Sequence, residues 1–221
     1  MAAPIFVFDA YGTLFNVHAA IAKHRDACGP QADRLSELWR IKQLEYTWTL
    51  TLTGQYVDFW TLTERALDFA FARVPSADRK MRAKLLEAYT TLGAFADAKP
   101  ALQMLKQRKY RTAILSNGTP KMLKSAISAA EIGNLIDAVL SAESISMYKP
   151  RPEVYRLATV HFKCSPREVM FVSSNRWDIM GAMAYKFRGI WINRTRGPQE
   201  YGNVSDETLT ELSQLADLAR G

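Results

Sequence analysis

The chain has 221 residues, 48% hydrophobic and 23% charged, with 11 Gly, 9 Pro and a formal net charge of +7. That composition supplies a sizeable core and excludes disordered, collagen-like and low-complexity classes, and no run of apolar residues is long enough to cross a membrane. Two cysteines, Cys28 and Cys164, without a CxxC pair and with only three histidines, exclude a zinc-finger grammar and a disulfide framework, so a reducing, cytoplasmic setting is expected.

The first predicted element is Ile5–Phe8, a short all-apolar run of the kind a buried parallel strand requires. It stops at Asp9 and has no basic stretch before it, so it does not read as a signal peptide. From about residue 16 to 97 no buried-strand run occurs. Apolar residues there recur at helical spacing: Leu35, Leu38 and Trp39, then Trp60, Leu62 and Leu67, then Leu85, Leu86 and Tyr89. Strand-like runs resume at 112–115, 138–140, 169–172 and 189–193, alternating with helical stretches at 120–130, 152–161 and 177–185. Alternation of this kind predicts an α/β fold, a Rossmann-like doubly wound parallel sheet interrupted by an inserted all-helical cap domain. The expected division is a core of residues 1–15 and 98–221 and a cap of residues 16–97. An insertion leaving the carboxyl end of the first strand covers the crevice where open α/β folds hold their sites.

The basic excess lies in residues 98–221, densest at Lys106-Gln-Arg-Lys-Tyr-Arg111. A run at a helix end is better explained by the helix dipole than by nucleic acid, which is not expected as a partner; nor is a membrane. A mild positive field also draws small anions.

Polar residues follow each predicted strand. Asp9 ends the first and precedes Tyr11-Gly12-Thr13, a carboxylate fixed on a rigid element. Ser116-Asn117-Gly118 ends the second, offering hydroxyl, amide and N–H groups near a helix start. Lys149 stands before Pro150, held close to a strand end. Ser173-Ser174-Asn175-Arg176-Trp177-Asp178 ends the fourth; N-capping is the plainer reading of that cluster.

Asp, then Ser, then Lys, then a terminal Asp cluster, in that order, resembles the haloacid dehalogenase superfamily over essentially the whole chain. Metal-dependent phosphatases of that superfamily carry a second Asp two residues after the first and another four residues before the last. Here those positions are Tyr11 and Ser174, which leaves Mg²⁺ short of carboxylates. The stretches FDAYGTLF, LWRIKQLEYTW, LSNG, YKPRPEVY and FVSSNRWD resemble the L-2-haloacid dehalogenases instead.

That resemblance implies the following roles. Asp9 is the nucleophile that displaces halide from the α-carbon and forms an aspartyl ester, which water cleaves to the inverted 2-hydroxy acid. Lys149 holds Asp9 by opposite charge, and Arg40 receives the halide, as a weakly hydrated guanidinium can. Thr13 and Ser116 surround the nucleophile and the substrate carboxylate, which Asn117 also helps to bind. Ser173, Asn175 and Asp178 position the second-step water, and Tyr155 joins their network. Tyr11, Leu44, Phe59 and Trp177 form the apolar pocket. No metal or cofactor is implied, and a homodimer is, with the Trp- and Tyr-rich cap as candidate interface. Ile41 departs from the family pattern, where Gln is expected, and is read as removing a polar group from the halide side. Asn16, Arg151 and Arg176 also depart from it, beside the proposed groups. Two alternatives stand next to this reading: a phosphatase of the same superfamily, and a catalytically silent binding protein on the same scaffold.

Overall fold

The computed structural model describes residues 4–202 and 205–218. Its centre is a six-stranded, wholly parallel sheet in the order β3-β2-β1-β4-β5-β6. The strands are β1 (Ile5–Phe8), β2 (Arg111–Ser116), β3 (Ala138–Ser141), β4 (Val169–Ser173), β5 (Arg188–Ile192) and β6 (Glu207–Leu209). Successive side chains alternate across a strand, so Phe6 and Phe8 enter one hydrophobic cluster and Ile5 and Val7 the other. Both faces are thereby covered, which is why these strands read as continuous apolar runs. The chain reverses direction across the sheet at β1, whose neighbours are β2 and β4, and ligands bind beyond the carboxyl ends at such a point.

Between β1 and the first core helix after the insertion, the described residues form helices, turns and isolated bridges but no strand. The α-helices are α1 (Ala19–Ala22), α2 (Arg25–Cys28), α3 (Ala32–Leu52), α4 (Phe59–Arg73) and α5 (Arg82–Thr90), as the periodicity predicts. Helix α4 starts where the Asp58 carboxylate accepts from the Thr61 N–H at 3.0 Å, a side-chain cap. The insertion leaves and returns at one place: the Phe95 N–H donates to Leu14 O at 2.8 Å, and Phe15 bridges Ala94. The remaining helices are α6 (Ala98–Gln107), α7 (Pro120–Ala129), α8 (Pro152–Phe162), α9 (Arg176–Ala184) and α10 (Leu215–Leu218). Prolines at the first turns of α7 and α8 cost no helical hydrogen bond there.

Three features differ from the sequence reading or complete it. Strand β6 was not expected, because Glu207-Thr208-Leu209 is a three-residue edge strand with no buried run. Ile41 lies 56% exposed on α3, off its buried face. The basic run at 106–111 is engaged structurally: Lys106 pairs with Asp137, Arg108 donates to Ala216 O at 2.7 Å, and Arg111 lies over the Phe162 ring. No helix among the described residues is long and apolar enough to cross a membrane.

Candidate active site

The carboxyl ends of β1, β2 and β4 and the segment after β3 deliver the site. Asp9 follows β1 directly, its N–H bound to Val172 O at 2.9 Å, so its side chain is fixed by the sheet. Gly12 takes a φ of +95°, a region glycine enters without a Cβ penalty, and turns the chain beside Asp9. The Thr13 hydroxyl donates to Asp9 Oδ2 at 3.0 Å, and the Asn175 amide donates to the same oxygen at 2.8 Å. Lys149 Nζ donates to Asp9 Oδ1 at 2.9 Å and to Asp178 Oδ2 at 2.7 Å.

Lys149 and Asp178 are almost wholly buried. A charge so enclosed is tolerated only when paired and hydrogen-bonded. Burial works against the Lys149 charge, yet the Asp178 and Asp9 carboxylates together hold its pKa above the ordinary lysine value. Burial pushes Asp178 up to about 6, the Lys149 charge pulls it down and the Asp9 charge raises it. Asp178 also accepts from Tyr155 OH at 2.7 Å and from Ser173 Oγ at 3.3 Å, so both its oxygens are engaged. Burial first, and the Asp178 charge second, raise the Tyr155 phenol and keep it a donor. Helix α9 must approach closely for this: a Cβ on Gly181 would meet Pro150 Cβ at 2.6 Å and collide with the Tyr155 hydroxyl.

Asn175 precedes α9 but makes no side-chain cap there. Its amide instead links Asp9, Tyr11 O at 3.2 Å and Arg40, whose Nη2 donates to Asn175 Oδ1 at 3.3 Å. The capping explanation of the terminal cluster therefore fails for Asn175. Arg40 reaches down from α3 to donate to Tyr11 O at 3.1 Å and to Gln43 Oε1 at 2.7 Å. Gln43, one turn along α3, is buried and also donates to Thr63 and Tyr89. Thus the polar group beside Arg40 is Gln43, not a residue at position 41.

The other expected residues have these places. Ser116 Oγ accepts from the Gly118 N–H at 3.1 Å, shaping the turn after β2. Asn117 Oδ1 accepts from the Lys149 N–H at 2.9 Å, tying that turn to the lysine. Tyr11 packs between Phe59 (6.0 Å between ring centroids) and Tyr89 (5.7 Å), so Phe59 lies behind it. Leu44 and Trp177 line a cavity of about 530 Å³ with Gly12, Arg40 and Asn175.

Gln43, Tyr89 and Ser174 were not anticipated as site residues. The Ser174 N–H donates to Thr13 Oγ1 at 2.9 Å and its hydroxyl donates to Gly12 O, locking the two strand-end loops together. A usable signal for Gln43 was its position three residues after Arg40 on one helix face. Ser174 gave none beyond its place in the cluster.

A family model of haloacid dehalogenase-like hydrolases matches residues 4–184. The chain belongs to that family. Its (S)-2-haloacid dehalogenase 1 from Pseudomonas sp. (strain CBS-3) is 46% identical over 214 residues, 96% of this chain and 94% of the relative. The crystal structure of a dehalogenase superposes with a TM-score of 0.95 at 44% identity, covering 98% of this chain and 97% of the other. The L-2-haloacid dehalogenase from Xanthobacter autotrophicus with chloropropionic acid covalently bound matches with a TM-score of 0.89 at 31% identity, covering 100% and 99%. The α/β fold with a helical cap expected from the sequence is the fold of these dehalogenase structures.

Proposed function

We propose that this chain hydrolyses short 2-haloalkanoic acids to 2-hydroxy acids through an ester on Asp9, with inversion at the α-carbon. One observation carries the reading: Asp9 is held at both oxygens, by Lys149 on one and by Thr13 and Asn175 on the other, with Arg40 one amide away. Two residues on, where a phosphatase needs an acid, Tyr11 is walled in by rings, and burial keeps its phenol neutral.

In the first step an Asp9 oxygen attacks the α-carbon from behind the halogen, forming the ester C–O bond while the carbon–halogen bond breaks and its electron pair leaves with the halide toward Arg40. Water then attacks the Asp9 carbonyl carbon. The acyl C–O bond breaks, the attacking oxygen stays on Asp9, and the former Asp9 oxygen leaves as the product hydroxyl. Only the first step touches the α-carbon, so one inversion survives. Ser173, Asn175 and Asp178 hold the water and orient Lys149, while Leu44 and Trp177 shape the apolar side and Phe59 backs Tyr11. In this reading residues 1–15 and 98–221 form the catalytic core and residues 16–97 the cap, in keeping with the exit and return at Phe15 and Ala94. A cytoplasmic setting fits the two free cysteines.

The donor set does not suit Mg²⁺. The ammonium of Lys149 bridges the two carboxylates, and Ser174 spends its hydroxyl on a backbone carbonyl. Halide release from a panel of R- and S-2-haloacids should therefore proceed for the S acids at an undiminished rate in EDTA. Turnover lost on chelation and restored by Mg²⁺ contradicts the metal-free reading; no release from any acid contradicts the activity.

The pH dependence follows from Asp178. Below about 6 it takes up a proton and its grip on Lys149 weakens, so kcat/KM falls on the acid side. The Tyr155 hydroxyl favours the ionised form. Tyr155→Phe is thus expected to move the acid limb to higher pH, read from kcat/KM profiles. A limb that stays in place or moves lower rules out this control.

A further inference from the structure

The cavity beside the reaction centre is several times larger than a short haloacid, at about 530 Å³. Three arginines line it, Arg40, Arg176 and Arg194, against one acidic residue, Glu200. Arg194 is neutralised by Asp97 at 2.7 Å. Arg40 and Arg176 have no ion-pair partner among the described residues.

Arg176 is only 4% exposed, its guanidinium 4.9 Å from the centre of the Trp191 ring. Nη2 donates to Gln199 Oε1 at 2.9 Å and to Gly202 O at 3.2 Å, both neutral acceptors. Nε and Nη1 are buried with no acceptor among the described residues. A buried cation with unused donors and only Glu200 nearby as negative charge is costly, and a small anion bound beside it in the cavity relieves the charge deficit. Burial lowers the Arg176 pKa, with Glu200 and Tyr201 opposing, in keeping with a partly uncompensated charge.

We propose that Arg176 forms a second anion site in this cavity, taking a small monoanion that passes to or from Arg40. The chemistry fits two sources, the departing halide and the carboxylate of the incoming acid. A guanidinium stacked on an aromatic face suits a weakly hydrated anion in a semi-apolar wall. This inference rests on the dehalogenase reading for its physiological ligand, but anion binding at Arg176 can be observed without turnover.

Bromine reports both sources by anomalous diffraction. Wild-type crystals in sodium bromide test the halide, and Asp9→Asn crystals in 2-bromopropionate, where no displacement occurs, test the acid. The expected result is a bromine peak in contact with Arg176 in at least one arm, in addition to any peak at Arg40, and its loss in Arg176→Gln. Inhibition of turnover by added bromide should weaken several-fold in Arg176→Gln if the halide is the ligand. If the acid is, KM should rise with kcat little changed. No peak at Arg176 in either arm overturns the site while leaving the activity intact. A peak whose removal alters neither bromide inhibition nor KM is an adventitious ion only, and overturns the site's role. Absence of turnover with a bromine peak present contradicts the dehalogenase reading instead.

Discussion

Lys149→Met is expected to lose turnover and stability together, whereas Asp9→Asn loses turnover alone. Lys149 is 1% exposed between two carboxylates, with one cation serving both. Removing it leaves Asp9 and Asp178 facing each other without a counter-charge, which costs roughly 3–5 kcal/mol when a buried ion loses its partner. Without the Lys149 charge that now lowers it, Asp178 is pushed further above its unfolded value. The folded state then holds a proton that the unfolded state has released, so the stability of this variant drops further as pH rises through the Asp178 range. Asp9→Asn, in contrast, leaves Lys149 and Asp178 as a one-to-one pair. It removes the proposed nucleophile, and turnover should fall about 10⁴–10⁶-fold, as when a covalent catalyst loses its attacking group. Thermal unfolding in acidic and neutral buffers, with halide release on the same samples, checks both statements. Wild-type stability in Lys149→Met, or substantial turnover in Asp9→Asn, contradicts them.

Arg40→Lys carries the second large effect. The Arg40 guanidinium is oriented by three acceptors, Gln43 Oε1, Tyr11 O and Asn175 Oδ1, and in the proposed reaction the rest of its planar edge receives the leaving ion. Lysine offers a compact, strongly hydrated charge that cannot meet all three in one plane. Loss of one oriented donor for developing negative charge costs roughly 3–4 kcal/mol, about 10²–10³ in kcat. The loss should appear mainly in kcat, for chloro and bromo acids alike. Near-normal turnover in Arg40→Lys or Arg40→Ala removes the halide role.

Legibility of the sequence divided along physical lines. The four inner strands were readable because both sheet faces are buried there, which turns each of them into an unbroken apolar run, and β3, at one edge, was readable from Ala138-Val139-Leu140 although Val139 is exposed. Strand β6 was not, since an exposed edge of three residues imposes no such pattern. The helical insertion was readable from periodicity, but its polar interior was not. Gln43 and Thr47 continue the buried face begun by Leu35 and Trp39, so hydrophobicity ends before burial does. That is why Ile41 drew attention as a departure while Gln43, the residue in contact with Arg40, did not. Asp9, Lys149 and Asp178 were legible as charged residues at strand ends, and the structure joins them in one ion-paired triad. The part played by Ser174 depends on two loops meeting at Thr13 Oγ1 and Gly12 O, a contact with no trace in either loop alone.

Direct attack of Asp9 on carbon is tested by a single turnover in H₂¹⁸O with enzyme in excess. In the ester route the product hydroxyl comes from Asp9, and solvent oxygen enters the carboxylate that is left behind. Mass spectrometry should then find unlabelled 2-hydroxy acid and ¹⁸O in the peptide containing Asp9. Were Asp9 instead a base for water attack at the α-carbon, the label would pass straight into product. Labelled 2-hydroxy acid with an unlabelled Asp9 peptide contradicts the nucleophile assignment.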